Sequence, residues 1–462
     1  MGAERNPAHM ENRSVVLVTV DCLRSDHVGC YGYDRPTTPN IDEFAEESTL
    51  FERSFSNGPG TRWALQTIHA GAWPDQIDGL GIPEERGVAL AEQFKQAGYA
   101  TGGFGKNGFL TRDYNYDKAF DCYYGVQEFK DHPLKRTGVA LNEKLQSDFV
   151  REKVLAPMHN LLKKAQEDDD GQYRPHTTDE EVCGHALDWI QDKERSNEPY
   201  FAWIHLMDAH TPYGRWNEHL EALRGDTDIE HVIDPHGVVE LGEASVQQKV
   251  RDAYDSGIRS ADEEIGKILD TVSDDATVAI TGDHGEEFGR YKGFHTASLY
   301  SSMTRVPLLV RSPDLEQGRV DEYPVQHLDI PPTLVADVNA QPSNHWVGDT
   351  LQETDRGNDT PIHFSLTEPD PEQAVRVGEW KYIHVEDTGE EELYRGSYDE
   401  PDDEDISDEH PEKLAELREI AEDHAEWMQR NKVGKANAAL EDGQDELSDA
   451  VRDNLEELGY IE

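Results

Sequence analysis

Short runs of β-branched residues alternate along this chain with stretches whose apolar positions recur every three to four residues. Ser14–Val20 (SVVLVTV) is apolar on both sides of its pleat, the pattern of a strand buried on both faces. Further strands are predicted at Tyr99–Phe104, Tyr200–His205, Thr277–Thr281 and Val306–Arg311. Helices are predicted at Ile41–Glu47, Trp63–Ala70, Val88–Ala97, Glu180–Lys193 and Val246–Val272, the last with Ile258, Ile265, Ile268 and Leu269 on one face. This alternation predicts an α/β chain: a central, mostly parallel sheet flanked by helices. Glu167–Gly171 (EDDDG) reads as a solvated loop, and the acidic, apolar-poor residues 387–409 as a linker or surface loop. Pro411–Met428 and Asp445–Leu458 read as terminal helices, and no internal repeat is present.

Charge narrows the function classes. The formal net charge is −53, so the surface repels nucleic acid and anionic membranes. A disordered chain can be as acidic, but it lacks the apolar runs and the 13 Phe, 18 Tyr and 8 Trp found here. The remaining reading is a folded protein adapted to high salt, where screening makes a dense carboxylate surface tolerable. The four cysteines, Cys22, Cys30, Cys122 and Cys183, show no CxxC pair or zinc-ribbon spacing and are expected to be free thiols in a reducing compartment. The first residues, MGAERNPAHMENRS, have no apolar core of a secretory signal, and no run of about 18 apolar residues occurs. A cytoplasmic location without a membrane span is the expectation; oligomeric state is open.

Open α/β sheets bind ligands beyond the carboxyl ends of their strands. Those ends lead here to Asp21, to Gly105 and Lys106, to Asp208 and His210, and to Gly282, Asp283 and His284. Two aspartates and a histidine suit one divalent cation, with oxygen ligands favouring Mg, Ca or Mn and the histidine admitting Zn or Mn. A lone aspartate after a strand is more often a turn or helix cap, but the combined set favours the cation. In SNGPGTRWALQTIHAG, Gly58, Pro59 and Gly60 enforce a turn before a helix that begins at Thr61 or Arg62. A helix N-terminus cradles a tetrahedral anion, and a threonine there can be a nucleophile. On local sequence alone Thr61 reads more simply as an N-cap.

Together these segments resemble the sulfatase family of the alkaline phosphatase superfamily. VLVTVDCLRSDHVGCYGYDRPTTPNIDEFAEES over 16–48 is similar to the family's opening strand, metal aspartate and first helix, and TGDHGEE over 281–287 to its second metal block. FAWIHLMDAHTPY over 201–213 resembles the strand leading to an active-site histidine. YSSMTRVPLLVRSP over 300–313 and VQHLDIPPTL over 325–334 match later scaffold segments. VRVGEWKYIHV over 375–385, followed by ELY, resembles the C-terminal subdomain. The resemblance implies an alkaline-phosphatase-like catalytic α/β domain over 1–345 and a smaller C-terminal α+β subdomain over 346–462. With its acidity, the chain looks like a haloarchaeal-type member.

The family places its nucleophile ten residues before a glycine; Gly71 fills that position, so Thr61 is the nucleophile position. Formylglycine maturation needs Cys or Ser there, so the resemblance leans to the threonine-using branches: phosphodiesterases, phosphonate hydrolases and phosphoglycerol transferases. Cys22 replaces the second aspartate of the family's paired metal carboxylates, and GKWHLG reads GKNGFL. The resemblance thus implies that Asp21, Thr61, Asp283 and His284 ligate one divalent metal (Ca, Mn, Mg or Zn) and that Thr61 attacks a sulfate or phosphate ester. Lys106, supported by Arg62, would neutralise non-bridging oxygens, and His210 or His295 would protonate the leaving oxygen. Near the family's late-loop cation stand Lys292 and His295, of which His295 is preferred. Asp208 and His210 are a minor alternative for a second cation, and Asp26 and His27 are expected to stabilise the turn. The expected activity is hydrolysis of a sulfate- or phosphate-type ester of a small molecule or carbohydrate. The alternatives are phosphoryl-group transfer and anion binding without cleavage.

Overall fold

The buried run near the N-terminus becomes the middle of an eight-stranded sheet in the computed structural model, which describes residues 13–125, 178–211, 213, 217–225, 244–291, 295, 297–338, 340–352, 356–368, 370–397 and 402–436. The solvated loop predicted at 167–171, Lys292 and the helix predicted at 445–458 lie outside the described residues. In spatial order the sheet runs β10 (Gly318–Val320), β2 (Thr49–Phe51), β9 (Leu308–Arg311), β8 (Thr277–Gly282), β1 (Val15–Val20), β7 (Tyr200–Leu206), β5 (Ala100–Phe104) and β6 (Cys122–Tyr124). All neighbouring pairs are parallel except those of β9, which is antiparallel to both β8 and β2. The five predicted strands are β1, β5, β7, β8 and β9.

Alternation along β1 divides the core. Val16, Val18 and Val20 face one layer, with Val182, Ala186 and Ile190 of the helix Asp179–Ser196 and Ile258, Ile265 and Ile268 of the helix Ala244–Leu269. Val15 and Leu17 face the other, with Leu65 and Ile68 of the helix Thr61–Ala70, Leu90 and Phe94 of the helix Leu90–Gln96, and Leu334 of the helix Ile330–Ala336. Each such side chain contributes about 1.5–3 kcal/mol by leaving water, which fixes β1 as the axis on which both layers are hung.

Two short parallel pairs, β3 (Ser54–Phe55) with β11 (Val325–Gln326) and β4 (Ile77–Asp78) with β16 (Gly434–Lys435), tie loops to this framework. An antiparallel C-terminal sheet follows: β12 (Ile362–Leu366), β13 (Glu372–Val377), β14 (Trp380–Val385) and β15 (Glu390–Arg395). The helix Pro411–Arg430 covers it, with Leu417 and Ala421 packed against Val375, Tyr382 and Leu393. The linker expected over 387–409 is corrected here: its first part is the edge strand β15, whose Leu393 is fully buried while Glu390 and Arg395 face solvent. Among the described residues no helix is long and apolar enough to cross a membrane, and none of the four cysteines forms a disulfide.

Candidate active site

Register brings three strand ends level. Val20 of β1 lies opposite both Leu206 of β7 and Gly282 of β8, so the residues that follow leave the sheet at one height. The Asp21 amide donates to the Leu206 carbonyl at 2.8 Å and the Asp283 amide to the Val20 carbonyl at 3.1 Å, which continues the ladder one residue past the strands. Asp21 and Asp283 are thereby fixed side by side and fully buried.

Cys22, next in the chain, adopts a φ of 60°, a left-handed conformation that costs a non-glycine residue about 1–3 kcal/mol. Its surroundings enforce it. The Cys22 amide donates to Asp283 Oδ1 at 3.1 Å, the Tyr254 hydroxyl to the Cys22 carbonyl at 2.6 Å, and the Cys22 thiol to Asp21 Oδ1 at 3.1 Å.

The helix Thr61–Ala70 begins at Thr61 itself, with Gly60 in the N-cap position, so the plain N-cap reading of Thr61 does not hold. The end of this helix is set by Gly71, whose φ of 60° allows its amide to reach the Thr67 carbonyl at 2.8 Å; a Cβ there would strike the Trp346 ring. Thr61 Oγ1 turns to the strand ends, 3.2 Å from Asp21 Oδ2 and 3.3 Å from His284 Nε2. The His284 Nδ1 N–H donates to the Gly285 carbonyl at 2.8 Å, so Nε2 carries the lone pair facing the site. Its neighbour Gly285 has room for no side chain, because a Cβ would collide with the Ser302 carbonyl.

Two residues that sequence reasoning passed over complete this centre. Asn107 is fully buried and places Nδ2 2.9 Å from Asp21 Oδ2 and 3.4 Å from Thr61 Oγ1. His205, within β7, lies 3.2 Å from Asp21 Oδ2 through Nε2. The Thr19 hydroxyl, which takes the Trp203 indole N–H at 3.1 Å, has one proton to give His205 Nδ1 at 2.9 Å. That chain sets the His205 proton on Nε2, where it meets Asp21.

The two candidate acids lie together, with the His210 and His295 ring centroids 4.7 Å apart. His210 anchors Nδ1 on the Thr211 carbonyl, and its Nε2 is 4.0 Å from Asp21 Oδ1. His295 anchors Nδ1 on Glu286 Oε2 at 2.8 Å, and that buried carboxylate also takes the Tyr213 hydroxyl at 2.9 Å. Lys106 and Arg62 reach other acidic partners. Lys106 Nζ is 2.9 Å from Glu181 Oε1, over the Tyr124 ring, and Arg62 Nη1 is 3.0 Å from Glu368 Oε1 while its guanidinium stacks on Trp63 at 3.9 Å. Asp208 turns away: Oδ2 accepts from the Ser260 hydroxyl at 2.6 Å and Oδ1 from the Asp179 amide at 3.2 Å, so it is not paired with His210 for a second cation. Asp26 pairs with Arg24 and His27 with Asp255, the turn-stabilising roles expected of them.

The electrostatics of the aspartate pair are one-sided. Burial pushes the Asp21 carboxyl up, but His210, His205 and His284 around it outweigh that and hold it well below the usual range. Burial, followed by the Asp21 charge, drives Asp283 well above it. Burial pushes His210 down to about 4, and lowers His284 as well. On His295 burial also acts downward, but Glu286 overrides it and the net direction is up.

The donor set fits a divalent cation. Asp283 Oδ2 is buried and accepts no hydrogen bond, an omission that costs about 1–3 kcal/mol unless something positive fills it. The ligand atoms of Asp21, Cys22 and His284 lie within 4.8 Å of one another, and Asp283 brings an oxygen within the same distance of Asp21. Two carboxylates, an imidazole lone pair and a hydroxyl gathered at these strand ends make an acceptor-rich cluster of the kind that cations occupy.

The chain is an ester hydrolase of the alkaline phosphatase superfamily, acting on sulfuric- or phosphoric-type esters, as its family profile and relatives show. Within it the chain belongs to the sulfatase family, whose profile, described as Sulfatase, matches residues 13–339. Its relatives include the uncharacterized sulfatase YidJ of Escherichia coli (strain K12), 24% identical over 367 residues, or 71% of this chain and 68% of that one. Similar folds are those of Ps i-CgsB in complex with k-i-k-neocarrahexaose (TM-score 0.65, 17% identity, 92% of this chain and 95% of that one) and of the phosphonate monoester hydrolase of Agrobacterium radiobacter (TM-score 0.62, 17% identity, 88% and 96%). Sulfatase-family proteins usually bind a divalent metal.

Proposed function

We propose that this protein hydrolyses a sulfate- or phosphate-type ester with the Thr61 hydroxyl as nucleophile, and that Asp21, Thr61, Asp283 and His284 hold one divalent cation. The observation that carries this reading is the approach of Thr61 Oγ1 to Asp21 Oδ2 (3.2 Å) and His284 Nε2 (3.3 Å) beside the unpartnered Asp283 Oδ2. When bound, the cation would supply Lewis acidity, acidifying the threonine hydroxyl and drawing charge from one ester oxygen.

The remaining work falls to this chain's own groups. The acidified Thr61 hydroxyl would give its proton to solvent, while Asp21 Oδ2, which accepts its hydrogen bond, and Asn107 Nδ2, shared between the two, keep the oxygen oriented for attack on sulfur or phosphorus. His295, tied through Nδ1 to Glu286, is the better placed of the two imidazoles to carry a proton, and it delivers that proton to the departing oxygen. His210, pushed down by burial, serves as a neutral neighbour that lines the site.

Lys106 and Arg62 neutralise the non-bridging oxygens by exchange of partners. Each sits in a pair whose carboxylate is about half exposed, at 48% for Glu181 and 53% for Glu368. Pairs of that kind are worth roughly 0–1 kcal/mol, so an anionic ester can displace them at little cost. A carbohydrate ester is supported by the similar fold that holds a neocarrahexaose, and a phosphorus ester by the similar phosphonate monoester hydrolase. A threonine, unlike a formylglycine hydrate, has no second hydroxyl with which to expel the transferred group. The covalent ester at Thr61 must therefore be opened by water at sulfur or phosphorus.

The test is a panel of p-nitrophenyl sulfate, phosphate, phosphonate and bis-phosphate, assayed on wild type and Thr61→Ala. Turnover of the best substrate is expected to fall by at least about 10³-fold, in line with other nucleophile deletions, with the fold retained. Wild-type rates in that variant would remove Thr61 from the role.

A further inference from the structure

We infer that Cys22 is itself a ligand of the cation and that its sulfur makes this site select a zinc-type ion over calcium. The inference rests on the cation reading above and adds to it the identity of the metal.

Four observations lead there. First, Cys22 is fully buried and its Sγ lies 3.1 Å from Asp21 Oδ1. Second, its sulfur belongs to two donor groups at once: with Asp21 and His284, and with His210 and His295, each set spanning no more than 4.8 Å. Third, Asp283, whose Oδ1 takes the Cys22 amide, has its buried Oδ2 without any hydrogen-bond donor. Fourth, the left-handed φ of Cys22 is imposed from both sides, by Asp283 on its amide and Tyr254 on its carbonyl. The thiol borders the apolar layer and at the same time lies within reach of carboxylate and imidazole ligand atoms.

The chemistry separates the two kinds of ion. Calcium and magnesium take shells made of oxygen; thiolate and imidazole favour zinc and its neighbours. An all-oxygen partner at position 22 would leave the choice with the hard cations, whereas sulfur beside His284 weights it toward zinc. The imidazole of the ligand set is prepared in the manner of a metal ligand: His284 commits Nδ1 to the Gly285 carbonyl and leaves Nε2 free for the ion. Ligation by Cys22 is as thiolate, its proton passing to solvent.

The experiment reads metal directly. Full-length protein is stripped with chelator, offered equimolar zinc, manganese, magnesium and calcium, and its bound metal measured by mass spectrometry. A second sample is loaded with cobalt(II) and scanned in the near ultraviolet for a sulfur-to-cobalt charge-transfer band. Zinc is expected to dominate at one ion per chain, and the cobalt band to be present in wild type and absent in Cys22→Ser. Zinc affinity in that variant should fall by more than the roughly 10–100-fold that loss of a mere outer-shell partner costs. Cys22→Asp should shift occupancy toward calcium or magnesium. A stoichiometric ion with calcium or magnesium preferred and no cobalt band would overturn the sulfur ligand and leave the cation reading standing. No stoichiometric ion of any kind would overturn both. Because the cobalt spectrum is read on wild type, the outcome does not depend on whether a variant folds.

Discussion

Replacing Asp283 by asparagine should stabilise the chelator-treated protein as pH rises and destabilise the cation-loaded one, a reversal that a merely structural aspartate would not produce. The sign follows from proton counts. Asp283 has its folded pKa raised by burial and by Asp21, so the cation-free native state holds a proton that the unfolded chain has already lost. Between the unfolded carboxylate value and the raised folded one, wild-type stability therefore falls by about 1.4 kcal/mol per pH unit. Asp21, shifted down, acts only below that window, where its stabilisation is lost as pH falls. Asparagine removes the Asp283 slope yet keeps an Oδ1 acceptor for the Cys22 and His284 amides, now at 3.1 and 2.6 Å. With cation at a hundred times its dissociation constant, wild type gains about 2.7 kcal/mol that the variant lacks. Unfolding entropy of about 2.1 cal/mol/K per residue over 462 residues converts this to roughly 3 °C. Thermal melts of both proteins, with chelator and with metal, across the mildly acidic to mildly basic range are sufficient. A chelator-insensitive wild type whose difference from Asp283→Asn does not change with pH would refute the reasoning.

Two further substitutions test other parts of the molecule. His295→Gln should slow esters with poor leaving groups by about 10²–10⁴-fold and p-nitrophenyl esters far less, since a good leaving group needs no acid; a uniform loss across a leaving-group series would deny His295 the acid role. Lys381→Met probes the junction between the C-terminal sheet and the catalytic sheet, where buried Lys381 Nζ lies 3.0 Å from Asp402 Oδ2 and 3.2 Å from Ser301 Oγ. Stranding the Asp402 charge should cost about 3–5 kcal/mol in urea unfolding, and a loss below about 1 kcal/mol would show that Arg376, 3.8 Å from Asp402, suffices alone.

The central strands and the two aspartates at their ends were legible because both depend on features that sequence displays: continuous apolar runs, and polar residues where those runs stop. What escaped depends on direction. His205 lies inside a strand buried along its whole length, so nothing in composition separates it from a packed core histidine; only the register with Thr19 turns it to Asp21. β15 escaped for the opposite reason, since an edge strand with one wet face shows few apolar residues, and EEELYR reads as acidic loop until the helix Pro411–Arg430 is seen against Leu393. Lys106 and Asn107 make the sharpest case. Residue type favours the ammonium as the group that meets an anion, and the amide attracts no notice. At the exit of β5 the chain sends the two opposite ways, Lys106 to Glu181 and Asn107 to Asp21 and Thr61. On the proposed function, the amide would order the Thr61 hydroxyl before substrate arrives, and the ammonium, in an exchangeable pair, would respond once it does.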